Sequence, residues 1–205
     1  MNSNTQRLQI AGPAGALELA IDEPPEGAVR GVAVICHPHP QHGGTMDNKV
    51  AQTLARAFVQ LGYRAVRFNF RGVGQSAGGW DEGRGEIDDA LAVIQARRDP
   101  ALPLVLAGFS FGGFVASQAA ARLPADAKAE RLVLIAPATA NFEVAAVPAD
   151  TLVVHGDADE VVPLPATLAW ARPQTLPIVV VPGVGHFFHG QLALLKSLVV
   201  NAWHR

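Results

Sequence analysis

The stretch Leu104-Val105-Leu106-Ala107-Gly108-Phe109-Ser110-Phe111-Gly112-Gly113-Phe114-Val115-Ala116-Ser117 carries the architecture of this chain. Its first six residues form a continuous apolar run of strand length, the pattern of a strand covered on both faces. From Gly112 to Leu123 small residues dominate and the texture becomes that of a helix. Between the two lies Gly108-Phe109-Ser110-Phe111-Gly112, a G-x-S-x-G at a strand-to-helix junction. Such a turn lifts the serine off the strand end, and glycines flank it because side chains would collide there. Gly113, Ala116, Ser117 and Ala119 allow the helix to approach the sheet closely. No charge occurs from Pro100 to Ala121, a run long enough to raise a membrane helix. Pro103, Gly108, Gly112 and Gly113 interrupt it, so a strand, a turn and a buried helix are expected, and no membrane partner.

Outward from this point, strand-like and helix-like segments alternate. Leu8–Ala11 and Leu17–Ile21 flank a Gly-Pro turn and read as an N-terminal antiparallel hairpin. Val32–Cys36, Arg64–Phe70, Leu132–Ile135, Leu152–His155 and Ile178–Val181 read as further strands. Val50, Leu54, Phe58 and Leu61 stand at helical spacing, with Thr45 or Asp47 as cap and Gly62 as stop. Ile87, Leu91 and Ile94 mark a second helix, Thr167–Ala171 a short one, and Leu192, Leu195 and Val199 a terminal one. The alternation predicts an α/β fold, a mostly parallel sheet with helices on both faces.

The 205 residues, 49% hydrophobic and 17% charged, suffice for one domain with a substantial core, read as residues 1–205. A net charge of −2 offers no basic surface for nucleic acid. The single cysteine, Cys36, excludes an internal disulfide and fits a reducing, cytoplasmic setting. Met1 to Arg7 lacks the layout of a secretory signal and reads as a short frayed tail.

A serine hydroxyl is a poor nucleophile until a base takes its proton. Two downstream segments supply candidates. His155-Gly156-Asp157-Ala158-Asp159-Glu160-Val161-Val162-Pro163 leaves one strand, and Pro182-Gly183-Val184-Gly185-His186 leaves the next. Both emerge at C-terminal strand ends, the edge where open parallel sheets bind ligands. The H-G-x-x-D-x-x-V-P and G-x-G-H segments resemble the acid and base loops of the α/β-hydrolase superfamily. With Cys36-His37-Pro38-His39-Pro40, Gly43-Gly44-Thr45-Met46 and Phe68-Asn69-Phe70-Arg71-Gly72-Val73-Gly74, they resemble a group of small lidless bacterial serine hydrolases within it. These are related to dienelactone hydrolase-like proteins, which place cysteine where this chain has Ser110.

The resemblance implies Ser110 as nucleophile, His186 as general base and Asp159 as the acid that orients it. Asp159, with Asp157 and Glu160 as rivals, occupies the family's position, the fourth after the histidine. Asp157 suits a turn former. His189 competes with His186, but Gly183 and Gly185 suit a tight loop that delivers His186. For an oxyanion hole, one backbone donor is Phe111, after the nucleophile. Pro38 and Pro40 lack an N–H, which leaves His39, Gln41 or His42 for the other, and alignment with the family's H-G-x-P loop selects His39.

The Gly-rich loop Arg71–Gly85 lacks a phosphate-binding pattern, and Arg71 reads as a loop anchor. Trp80, Phe142, Phe187 and Phe188 are candidates for the substrate cleft. His37, His39 and His42 have irregular spacing for a metal and no completing ligands nearby, so neither metal nor cofactor is expected. Only about Ala136 to Thr151 separates the two strands between which a lid would be inserted, too short for a folded one. The expectation is a lid-free esterase cleaving accessible small acyl esters through an acyl-enzyme. Thioesterase, small-peptide peptidase and perhydrolase are alternatives on the same triad, and a silent binding scaffold is the non-enzymatic one. The last helix reads as exposed and offers a face for a homodimer.

Overall fold

The computed structural model describes residues 5–25, 27 and 29–203. Among them, eight strands form one sheet: β1 (Gln6–Gly12), β2 (Gly15–Asp22), β3 (Gly31–Cys36), β4 (Tyr63–Phe68), β5 (Leu104–Phe109), β6 (Arg131–Ile135), β7 (Leu152–Gly156) and β8 (Ile178–Val181). Their order is β1-β2-β4-β3-β5-β6-β7-β8. The β1–β2 and β2–β4 pairs are antiparallel, and every pair from β4 to β8 is parallel. The helices are α1 (Lys49–Gln60), α2 (Arg84–Arg97), α3 (Phe111–Arg122), α4 (Leu164–Ala171) and α5 (Leu192–Ala202). None is long and apolar enough to cross a membrane, among the described residues.

The unbroken apolar runs have a direct physical cause. β3 and β5 lie in the middle of the sheet and are buried along their whole length, so both faces must be hydrophobic. Successive side chains alternate between two cores. Val32, Val34, Leu104 and Leu106 point to one, shared with Ile87, Val93, Phe111 and Val115 of α2 and α3. Ala33, Ile35, Val105, Ala107 and Phe109 point to the other, shared with Leu54 and Phe58 of α1 and Leu195 and Val199 of α5. The helices thus cover both faces, as the alternating pattern predicted.

Several boundaries differ from the sequence reading. Residues 1–4 of the expected tail lie outside the described residues, while Gln6 and Arg7 belong to β1 and pair with Ile21 and Ala20. α1 is capped by Asn48, whose side chain accepts from the Val50 and Ala51 N–H groups, rather than by Thr45 or Asp47. Thr45 instead accepts from the Asp47 N–H, a local turn that leaves Asn48 adjacent to the first helical turn. Gly62 ends the helix as expected, with φ of 87°. β4 ends at Phe68; the Asn69 that follows still donates its N–H to Glu18 O of β2 at 2.9 Å, and its side chain bonds Glu18 and the Met46 N–H. The apolar stripe of α5 is not free, since Leu195 and Val199 are fully buried. Residues 136–151, between β6 and β7, hold neither helix nor strand, so no lid domain is inserted there.

Candidate active site

Ser110 sits between β5 and α3 with φ 56° and ψ −119°, a backbone region that L side chains rarely adopt and that stores strain. Close approach keeps it there. A Cβ on Gly108 would collide with the Gly112 carbonyl, and one on Gly112 would collide with the carbonyls of Cys36 and His37 at the exit of β3. The Ser110 N–H donates to Ile135 O at 2.9 Å, and its carbonyl accepts from Gly113 N at 2.9 Å and Ala138 N at 3.1 Å. The turn is therefore held by backbone alone, leaving the hydroxyl free to face its partner.

That partner is His186. Its Nε2 lies 3.0 Å from Ser110 Oγ, and its Nδ1 lies 2.7 Å from Asp159 Oδ2. A carboxylate can only accept, so the proton belongs on Nδ1 and Nε2 is left to accept from the serine hydroxyl. All three residues are at least nine-tenths buried. Burial pushes the Asp159 carboxyl up, but the His186 bond and the Val162 and Val161 N–H groups outweigh it and hold it below its ordinary value. Those N–H groups donate to Oδ1 at 2.8 and 2.9 Å.

Asp157, the rival acid, faces elsewhere. Its Oδ1 accepts from Gly183 N at 2.6 Å, tying the loop after β7 to the loop after β8. The Ala158 N–H donates to Val184 O beside it. Glu160 is exposed, and His189 is exposed with its ring 5.7 Å from that of Phe187. Of the alternatives weighed on sequence, Asp159 and His186 are the ones brought to Ser110.

The loop leaving β3 settles beside the start of α3. Gln41 N–H donates to His39 Nδ1 and His42 N–H to His39 O, so two of the three N–H groups open on sequence are occupied. The His39 N–H has no partner among the described residues. Phe111 is the first residue of α3, where an N–H precedes the first intrahelical bond. The His39 ring meets Trp80 at 4.5 Å, Phe111 at 5.0 Å and Phe142 at 5.9 Å between centroids. Trp80 and Phe142 thus form an aromatic wall on this side. Phe187, 45% exposed, stands on the other, against the His186 ring. Phe188 departs from expectation: a φ of 52° turns it inward, and it is buried in the core shared with α1 and α5.

A hollow of about 440 Å³ opens beside His186, lined among others by Glu160, Val161, Phe187 and His189. A larger one of about 610 Å³, between Pro25, Arg56, Gly62 and Lys196, lies at the start of β4 and holds none of these groups. Arg71 is an anchor, pairing with buried Asp89 of α2 at 2.8 Å. Cys36 is buried at the end of β3, and burial pushes its thiol up, away from thiolate chemistry.

Two histidines were missed as contributors on sequence. His155 is fully buried, donates through Nε2 to Val162 O at 2.8 Å and lies 3.4 Å from Asp159 Oδ2. Burial lowers its pKa, so it closes the acid loop as a neutral ring. Its place at a strand end directly before Gly156 was the available signal. His37, considered only as a metal ligand, has both ring nitrogens engaged in hydrogen bonds.

The chain is similar to known proteins along its length. The family model described as "Serine aminopeptidase, S33" matches residues 27–144. A Xanthomonas campestris structure described as an α/β serine hydrolase without lid is 40% identical, covering 100% of this chain and 96% of that one, with a TM-score of 0.89. An α/β serine hydrolase homologue from Coxiella burnetii is 39% identical over 98% of each chain, with a TM-score of 0.83. A curated uncharacterized protein of Rickettsia prowazekii is 39% identical over 114 residues, and the match spans about half of each chain, 49% of this one and 48% of that one. With a family model over more than half its length and a 40% identical lid-free serine hydrolase over all of it, this chain belongs to the serine hydrolases of the α/β-hydrolase superfamily.

Proposed function

We propose that Ser110, His186 and Asp159 form a catalytic triad that hydrolyses accessible small acyl esters. The observation that carries this reading is the continuous chain of contacts from Ser110 Oγ to Nε2 at 3.0 Å and from Nδ1 to Asp159 at 2.7 Å. In the forward step Ser110 Oγ bonds to the acyl carbon while its proton passes to His186 Nε2. Asp159 stabilises the resulting imidazolium and keeps its orientation. The N–H groups of His39 and Phe111 receive the oxyanion, each such donor lowering the barrier by about 3 kcal/mol. Collapse expels the alcohol with the proton from Nε2. Water then gives a proton to the same nitrogen as it attacks the acyl carbon, and the C–Oγ bond breaks with that proton returning to Ser110 Oγ, which releases the acid and restores the enzyme.

The absence of a folded segment between β6 and β7 favours a shallow site and substrates with short or medium acyl groups. Trp80 and Phe142 suit one side of the substrate, and Phe187 the other. The matched family's name favours a second reading, cleavage of small-peptide amides. Thioesters and perhydrolysis remain chemistry open to the same triad.

The test is labelling with a fluorophosphonate probe, comparing the wild type with Ser110→Ala. Labelling of the wild type that disappears in the variant is expected. A folded wild type that takes up no label would favour a binding scaffold and overturn the proposal. A panel of p-nitrophenyl esters, acyl-CoA thioesters and dipeptide amides then ranks the substrate classes, with the short esters expected to be cleaved fastest.

A further inference from the structure

His37 is wholly buried, yet it is a titratable group that the proposed chemistry does not use. Its ring is held at both nitrogens: Nδ1 lies 2.6 Å from Pro38 O, and Nε2 lies 3.1 Å from Phe70 N. The Phe70 N–H can only donate, so Nε2 must accept. The Pro38 carbonyl can only accept, so Nδ1 must carry the proton. Only the neutral ring protonated on Nδ1 satisfies both neighbours, since an imidazolium would set an N–H against the Phe70 N–H. Burial lowers the His37 pKa to about 3, in keeping with that single permitted form.

The Pro38 carbonyl and the His39 N–H belong to one peptide unit. That unit is planar and trans, as no cis bond occurs among the described residues, so its C=O and N–H point in opposite directions. Whatever fixes the Pro38 oxygen therefore also fixes the line along which the His39 N–H points. The next peptide is held separately, because His39 O accepts from His42 N at 3.1 Å and Gly44 N at 3.0 Å. Gly44 is itself pressed against Pro38, and a Cβ there would collide with the Pro38 carbonyl.

We infer that His37 is a positioning residue for oxyanion stabilisation: its ring clamps the Pro38 carbonyl and so aims the His39 N–H, tying the loop after β3 to the exit of β4 through Phe70. The inference rests on the proposed role of the His39 N–H as an oxyanion donor. It gives His37 no contact with substrate. The clamp acts on the transition state more than on the ground state, because the oxyanion forms only there.

The test compares His37→Asn with His37→Gln in the full chain. Asparagine sets an amide nitrogen close to the Nδ1 position and keeps a donor for Pro38 O. Glutamine reaches the Nε2 position and keeps an acceptor for Phe70 N, but releases Pro38. His37→Gln is expected to lose about 100-fold in kcat on a short p-nitrophenyl ester with KM little changed, the size of effect seen for small misplacements in a site. Its affinity for a boronic acid transition-state analogue should fall in parallel, while the pH at which kcat/KM rises stays where it is in the wild type. His37→Asn should recover at least about tenfold of the loss. Equal activity of the two variants, or a kcat loss without weaker analogue binding, overturns the inference. Failure of the parent proposal is distinguishable, since the wild type itself would then neither label at Ser110 nor turn over the ester.

Discussion

The elbow around Ser110 and the paired loops that carry Asp159 and His186 are held in place by different physics. At the elbow the determinants are steric. Gly108 and Gly112 leave no room for a Cβ against the Gly112, Cys36 and His37 carbonyls, and no side-chain hydrogen bond caps the start of α3. In the acid and base loops the determinants are mainly directional. Asp159 takes three hydrogen bonds, Asp157 ties its loop to Gly183, and His155 closes onto Val162. Contact matters there at one point, Gly156, where a Cβ would collide with the Val184 carbonyl. The nucleophile needs a strained backbone, enforced by crowding together with the backbone bonds to Ile135, Gly113 and Ala138, whereas the base needs a defined tautomer, which only hydrogen bonds can select.

This contrast has consequences for mutants. The largest effect is expected for Asp159→Asn, which preserves shape and volume but turns an acceptor into a donor facing Nδ1. The tautomer of His186 should invert and kcat should fall by about 10⁴-fold, with little change in the melting temperature. Steady-state kinetics beside a thermal melt check this, and a loss below about tenfold would mean that the directional account of this side is wrong.

Gly112→Ala should do the reverse. Its added methyl meets backbone rather than a movable side chain, so stability should drop by about 3 kcal/mol, visible as a lower denaturation midpoint. Activity should be lost through displacement of Ser110 while the His186–Asp159 pair survives. An alanine variant as stable as the wild type would remove the steric half of the comparison.

The third effect appears only on acidification. His37 is neutral in the fold with a pKa lowered from 6.5 to about 3, so the unfolded chain binds a proton that the native one refuses. Stability attached to this group is complete above pH 6.5 and declines as the pH falls towards 3. His37→Asn should flatten the acid limb of the stability curve there, by up to about 1.4 kcal/mol per pH unit. Asp159 acts lower on the scale: its contribution is full above its ordinary value of 3.8 and fades as the pH drops through its depressed native value. Urea denaturation at a series of pH values separates the two, and an unchanged slope in His37→Asn would show that the ring is not held neutral.

Much of the molecule could be read from local pattern. Wholly apolar runs such as Val32–Cys36 and Leu104–Phe109 marked central strands, because a strand covered on both faces has no polar side to offer. Arg71 could be read as an anchor, and it pairs with Asp89. The cap of α1 could not be read, because Thr45, Asp47 and Asn48 are all good capping residues and the backbone path alone selects one. Phe188 was misjudged beside Phe187 because adjacent aromatics carry no sign of which one a positive φ will turn inward.

The same division runs through the site. Sequence determined the succession of strands and helices, the glycine-flanked serine, and the acid and imidazole that follow at later strand ends, since these depend on period, chain order and missing side chains. The family resemblance pointed to Asp159 and His39, but only tertiary structure removed their rivals and decided which tautomers His37 and His186 adopt. Those choices rest on ångström-scale distances between segments as many as 76 residues apart, and a hydrogen bond is made or lost within about half an ångström.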